Sequence, residues 1–154
     1  MEKKTKKEKM DAHFIRLAWV TAMNLSKDPS TKVGAVIVSE DTRMVSIGYN
    51  GFPKNLQENS ERWQKPLKYE YVIHAEMNAI MNCPFDTKGC TLYCTHQPCH
   101  RCLVHLVNAG IKRVVYNLEY KSLTHRDIWK ETSRLFEEVI QINDEQSAKI
   151  VKSY

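Results

Sequence analysis

No apolar run in this 154-residue chain approaches the roughly 20 residues that a membrane-crossing helix needs. The lysine-rich start, residues 1–10, leads into no apolar segment of the kind secretory signals carry, so export by that route is not expected. Cysteine is missing everywhere outside residues 83–102, and that stretch holds all five. Five clustered cysteines in a chain with no export signal argue against a disulfide framework and for reduced thiols around a metal. Internal repeats are lacking, and no low-complexity segment occurs beyond the lysine run. What is present is an ordinary globular mixture, 42% hydrophobic and 27% charged. Its length suits one compact domain and leaves no room for a second. The formal charge is +5, yet residues 1–9 alone hold five lysines against two glutamates. We therefore expect a basic mobile tail at 1–9 and a single domain at 10–154. Membranes are not expected as partners, and the charge excess does not call for nucleic acid.

Residues 10–25 place Phe14, Leu17, Ala18, Thr21, Ala22 and Leu25 at helical spacings, which predicts an amphipathic first helix ended by Pro29. Residues 33–38 and 43–49 are β-rich and separated by a polar turn, so they read as a hairpin. Residues 50–53 carry strong turn chemistry, and 54–68 read as a surface loop without periodicity. Helical spacing returns at 74–81 and again at 99–108, where Gly110 stops it. Short strands are expected at 90–94, 111–116 and 139–142, with helices at 127–136 and 144–151. Strands alternating with helices after an opening hairpin predict a layered α/β domain whose last strands are parallel.

The chemistry gathers in His74, Glu76 and the Pro-Cys-x-x-Cys run at 98–102. Zinc takes four tetrahedral ligands from thiolate and imidazole, and a catalytic site leaves one position to water. Cys99 and Cys102, three apart at a helix start, can turn both sulfurs to one ion, and free N–H groups there favour thiolates. His74 would be the third ligand. Glu76, two residues on, would stand beside the open position and carry a proton between water and substrate. A structural zinc stays open on counting alone, since Cys83, Cys90, Cys94, His96 or His100 could supply a fourth ligand. Free cysteines are more often inert, and that is the expectation for Cys83, Cys90 and Cys94. Asn50 before Gly51 is common turn chemistry in any protein.

His-x-Glu followed by Pro-Cys-x-x-Cys is the signature of the zinc nucleobase deaminases. With residues 26–29, 32–38, 47–53, 74–81 and 109–116, the chain resembles the deoxycytidylate branch of the zinc-dependent cytidine/deoxycytidylate deaminase superfamily. The resemblance runs from residue 10 to about 136. It implies a three-layer cytidine-deaminase-like α/β fold: a five-stranded mixed sheet flanked by helices, with two zinc-bearing helices side by side. It implies hydrolysis of dCMP to dUMP and ammonia, which feeds thymidylate synthesis, in the cytoplasm. His74, Cys99 and Cys102 match the zinc ligands and Glu76 the proton shuttle. Asn50 matches a contact to sugar and base, Ala75 and Thr95 lie where backbone reads the base, and Tyr120 falls beside the substrate. Lys27 is the expected phosphate contact. Residues 51–73 contain neither Cys nor His, so one zinc per subunit is expected. Relatives form homo-oligomers, often hexamers, and respond to dCTP and dTTP. The alternatives are a related deaminase acting on another nucleoside, nucleotide or tRNA base, and a catalytically silent zinc module.

Overall fold

The computed structural model describes residues 3–154. The elements run α1 (Lys6–Leu25), β1 (Gly34–Val38), β2 (Val45–Tyr49), α2 (Lys68–Tyr71), α3 (Ala75–Met81) and β3 (Thr91–His96). They continue with α4 (His100–Asn108), β4 (Arg113–Leu118), α5 (Arg126–Ser133), β5 (Glu138–Gln141) and α6 (Glu145–Lys152). Five strands form one mixed sheet in the order β2-β1-β3-β4-β5. β1 is antiparallel to both neighbours, whereas β3, β4 and β5 are parallel. The expected five-stranded mixed sheet with parallel last strands is therefore present. Among the described residues, no helix is long and apolar enough to cross a membrane.

Alternation along the strands assigns each side chain to a layer. Ala35, Ile37, Leu92, Cys94 and Val114 face one way, into a core shared with Ala75 and Ala79 of α3 and Leu103 and Leu106 of α4. Val36, Val38, Tyr93 and Val115 face the other way, against Phe14, Ile15, Ala18 and Trp19 of α1, with Ile150 and Val151 of α6 beside them. Each fully buried Ile, Leu or Val contributes about 1.5–3 kcal/mol, and β1 is buried along its whole length. Glycine lets both helical layers approach closely. A Cβ on Gly34 would lie 2.0 Å from Ala18 O in α1, and one on Gly48 would lie 2.3 Å from Ala75 O in α3.

At one end of the sheet a charged knot ties α1 to the parallel strands. Tyr93 donates to Asp11 at 2.6 Å, and Arg113 donates to both oxygens of Asp11 and, through Nε, to Glu138 at 2.7 Å.

The first helix begins at Lys6, not at residue 10. Thr5 accepts from the Glu8 N–H while the Glu8 carboxylate answers the Thr5 N–H, a reciprocal capping box. Lysines 6, 7 and 9 thus belong to a helix and not to the expected 1–9 tail; residues 1 and 2 lie outside the described residues. β3 starts later than expected and runs to His96, and β4 runs to Leu118, which carries both strands up to the site.

Candidate active site

Two helix starts converge above the end of β3. His74 is the N-cap residue of α3 and Cys99 that of α4, so each stands where the chain turns from extended into helical backbone. The Cys99 sulfur accepts the Cys102 N–H at 3.5 Å, as N-capping oxygens do elsewhere. His74 Nδ1 lies 3.2 Å from Cys102 Sγ and 3.6 Å from Cys99 Sγ. In a zinc tetrahedron with bonds of about 2.0–2.3 Å, donor atoms stand about 3.3–3.8 Å apart, so this set fits a zinc ion. Among the described residues it is the one cluster of His, Cys, Asp or Glu able to hold a metal.

The three donors act on one another's protons. The Cys99 thiol is pushed down to about 3, first by its hydrogen bond with Cys102 and then, against burial, by His74. Cys102 is pushed up by the same shared bond and by burial. His74 is raised by its bond to Cys99. Glu76, in the first turn of α3, is 4% exposed, and burial raises its carboxyl above the usual range. A carboxyl so placed takes up a proton readily.

These groups open on a cavity of about 180 Å³. Its lining includes His74, Glu76 and Cys99 of the cluster, with Asn50, His96, Lys65, Lys68 and Tyr120. Lys68, the first residue of α2, is almost buried. Its Nζ lies 2.6 Å from Asp28 Oδ2 and donates to Ser30 Oγ at 3.3 Å. Burial pushes Asp28 up, but hydrogen bonds from Lys68, Ser30 and Thr31 outweigh it and hold the carboxyl below its ordinary value.

The structure brings together most of the expected site. His74, Glu76, Cys99 and Cys102 converge, and Ala75, Asn50 and Tyr120 line the cavity. Asn50 is engaged inside the protein. Its Oδ1 accepts from Ser26 Oγ and the Val33 N–H, and its Nδ2 donates to Asp28 and to Thr31 O. All four capacities of the amide are used, so Asn50 fixes the wall formed by residues 26–33. Thr95 has no exposed surface and does not line the cavity; its hydroxyl bonds Gly34 N–H and His96. Lys27 also lies outside the lining. Its side chain is 73% exposed and faces Glu58 at 3.7 Å, because residues 26–29 turn Asp28 inward and Lys27 to solvent. Sequence reasoning missed Lys65 and Lys68, which have no local motif, and considered the His96 side chain only as a possible fourth metal ligand, whereas it lies outside the metal cluster.

The remaining cysteines lie outside the metal cluster. Cys90 and Cys94 are buried in the core, where burial pushes Cys90 up to about 11 and Cys94 well above its ordinary value. Cys83 donates to Phe85 O.

A profile of the cytidine and deoxycytidylate deaminase zinc-binding region matches residues 8–118. A probable deoxycytidylate deaminase of Caenorhabditis elegans is 44% identical over 113 residues, 70% of this chain and 57% of that one. The Homo sapiens deoxycytidylate deaminase is 40% identical over 111 residues, 68% of this chain and 62% of that one. This chain thus spans about three-fifths of the length of these relatives. The crystal structure of dCMP deaminase from cyanophage S-TIM5, in complex with dCMP and dUMP, superposes with a TM-score of 0.72 at 26% identity. That match covers 90% of this chain and 100% of the phage protein. With the profile extending over both halves of the metal cluster and over the sheet that carries them, the chain belongs to the cytidine and deoxycytidylate deaminase family.

Proposed function

We propose that this chain deaminates dCMP hydrolytically, giving dUMP and ammonia. The observation that carries the reading is Glu76: a buried carboxyl with a raised proton affinity, set between a three-donor metal cluster and a cavity bearing two lysines. His74, Cys99 and Cys102 hold the zinc. A zinc ion bound there supplies Lewis acidity and brings the pKa of water down towards about 7.

Glu76 receives a proton from the attacking water as its oxygen bonds to C4 of the cytosine. It returns that proton to the departing amine as the C4–N bond breaks, and the second water proton ends on N3 of the base, so water and dCMP leave as dUMP and ammonia. Burial serves this cycle, because it raises the proton affinity of the Glu76 carboxyl, which must take up a proton before it returns it. Lys65 and Lys68 hold the 5′-phosphate, taking the role expected of Lys27. Asp28 and Asn50 keep the 26–33 wall and Lys68 in place. The names of the relatives, and the phage protein's complex with dCMP and dUMP, support dCMP as substrate. The reading includes a cytoplasmic site of reaction, a homo-oligomer, and a rate that responds to dCTP and dTTP.

The test is ammonia release by zinc-loaded protein from dCMP, CMP, deoxycytidine, dCTP and tRNA. The expected outcome is a clear preference for dCMP. Faster turnover of tRNA or of unphosphorylated deoxycytidine overturns the reading. Light scattering and rate titration with dCTP and dTTP check assembly and regulation.

A further inference from the structure

His96 ends β3 and lines the cavity, yet none of the steps above uses it. Its neighbour Thr95 is wholly enclosed, so the Thr95 hydroxyl has to find its partners within the protein. One is the Gly34 N–H, which donates to Oγ1 at 3.2 Å; the other is His96 Nδ1, at 2.8 Å. The first partner is a donor, so the hydroxyl proton goes to the second. Nδ1 is then the bare nitrogen of the ring and Nε2 carries the hydrogen. The opposite tautomer would leave the enclosed Thr95 O–H without an acceptor.

The ring is also held from its face. Trp19 packs against it with centroids 5.4 Å apart and planes tilted by 57°, and Trp19 is itself anchored by donating Nε1–H to Asn117 Oδ1. Burial pushes the imidazole down to about 4, so it is uncharged at neutral pH. Among the described residues Nε2 has no hydrogen-bond partner, and it is not an enclosed orphan atom. Nε2 thus keeps accessible surface, on a residue that lines the cavity.

We propose that His96 is a substrate-contacting residue, an uncharged Nε2–H donor to an acceptor oxygen of the nucleotide, with Thr95 as the positioning residue that sets its tautomer. The identity of the ligand rests on the function proposed above; the tautomer does not. Such a donor adds direction where the lysines add charge. It donates to an oxygen of a ring carbonyl, a sugar or a phosphate, and it offers no lone pair to an amine or hydroxyl donor.

Two measurements decide it. In 15N spectra of histidine-labelled, zinc-loaded protein at pH 7, His96 should show a bare, pyridine-type Nδ1 and a protonated, pyrrole-type Nε2. In Thr95→Val the two tautomers should mix. A protonated Nδ1 in the unmodified protein overturns the assignment. In turnover, His96→Leu should raise KM for dCMP by about tenfold with kcat little changed, and His96→Gln, which returns an N–H near the Nε2 position, should restore most of it. Loss with dCMP alone puts the acceptor on the phosphate, and equal loss with deoxycytidine puts it on the nucleoside; either supports the donor. An unchanged KM with both substrates overturns the contact, provided His96→Leu keeps its zinc and its melting temperature. If the unmodified protein turns over neither substrate, the function proposed above fails by itself. Titrating the 15N sample with dUMP then still decides His96, since an unmoved Nε2 signal overturns the contact.

Discussion

Replacing Gly48 with alanine tests how the fold positions the site, because it acts on the backbone of α3 and leaves every metal ligand and Glu76 unchanged in kind. A Cβ there would lie 2.3 Å from Ala75 O and 2.4 Å from Ala79 N, both backbone atoms of α3. Ordinary contact begins at 3.4 Å, so α3 and β2 must part by about 1 Å. Overpacking of this kind costs about 3 kcal/mol. For a chain of this size that lowers the melting temperature by about 6–12 °C. The same movement carries His74 and Glu76, at the start of α3, away from Cys99 and Cys102. A misplacement of about 1 Å can cost about 10²-fold in rate, so kcat/KM should fall by about that factor and zinc affinity with it. Gly34→Ala is the matched control. Its Cβ meets Ala18 O at 2.0 Å, on the α1 side of the sheet, so it should destabilise at least as much while zinc affinity is largely kept. Gly51→Ala, whose nearest neighbours are Tyr49 ring atoms at 3.9 Å, should change little. The assay pairs thermal unfolding with zinc competition against a chelator. Equal loss of zinc affinity in the Gly48 and Gly34 variants would refute the reasoning, since general loosening would then explain both.

Glu76→Gln keeps the size of the side chain but carries no exchangeable carboxyl proton. Zinc content should hold at about one per chain while turnover falls by at least about 10²-fold, and retained activity would sink the shuttle role. Lys65→Ala should lower kcat/KM for dCMP by about tenfold or more and leave deoxycytidine unaffected, whereas Lys68→Met should also lose stability because Asp28 is left buried and unpaired. Asp144 is held down to about 2, first by its hydrogen bond with Arg16, against an ordinary 3.8. Its contribution is therefore fully present above about pH 4 and lost as pH falls through about 2. Asp144→Asn, which still caps α6, should cost about 1 kcal/mol in urea unfolding at pH 7 and only a small part of that at pH 2; an equal cost at both would rule out the charge as cause.

Close spacing is what made the metal set readable. His74 and Glu76 sit two apart, and Cys99 and Cys102 three apart, so local backbone turns aim each pair whatever the rest of the chain does. The sheet was readable for a similar reason, since alternating strands and helices leave few topologies. Lys68 was not readable, because its burial depends on Asp28, forty positions earlier, across a segment without periodicity. Lys27 was chosen for its neighbourhood, and only the direction of the 26–29 turn reveals that Asp28 faces inward. The enclosure of the Thr95 side chain was not readable either, because its hydroxyl partners are Gly34, sixty-one positions earlier, and the ring of His96. The Thr5–Glu8 capping box was legible in the sequence, and the density of lysines obscured it.

The knot of Asp11, Tyr93, Arg113 and Glu138 has a consequence at the opposite end of the sheet. Parallel strands joined through helices have no tight turn to set how far one slides along the next. Arg113 pairs directly across from Glu138 in the β4–β5 register, and Tyr93 shares their face, so all three can reach one another and Asp11 only when the strands are aligned. A slip of one residue would turn Arg113 to the other layer, among the apolar side chains beneath α4. The knot therefore works as an alignment key. Because β3 and β4 are stiff, the alignment it enforces is delivered some five residues on, where His96 stands opposite Leu118 and the chain leaves for Cys99 on one strand and Tyr120 on the other. Charges far from the cavity thereby decide whether its two walls meet in step.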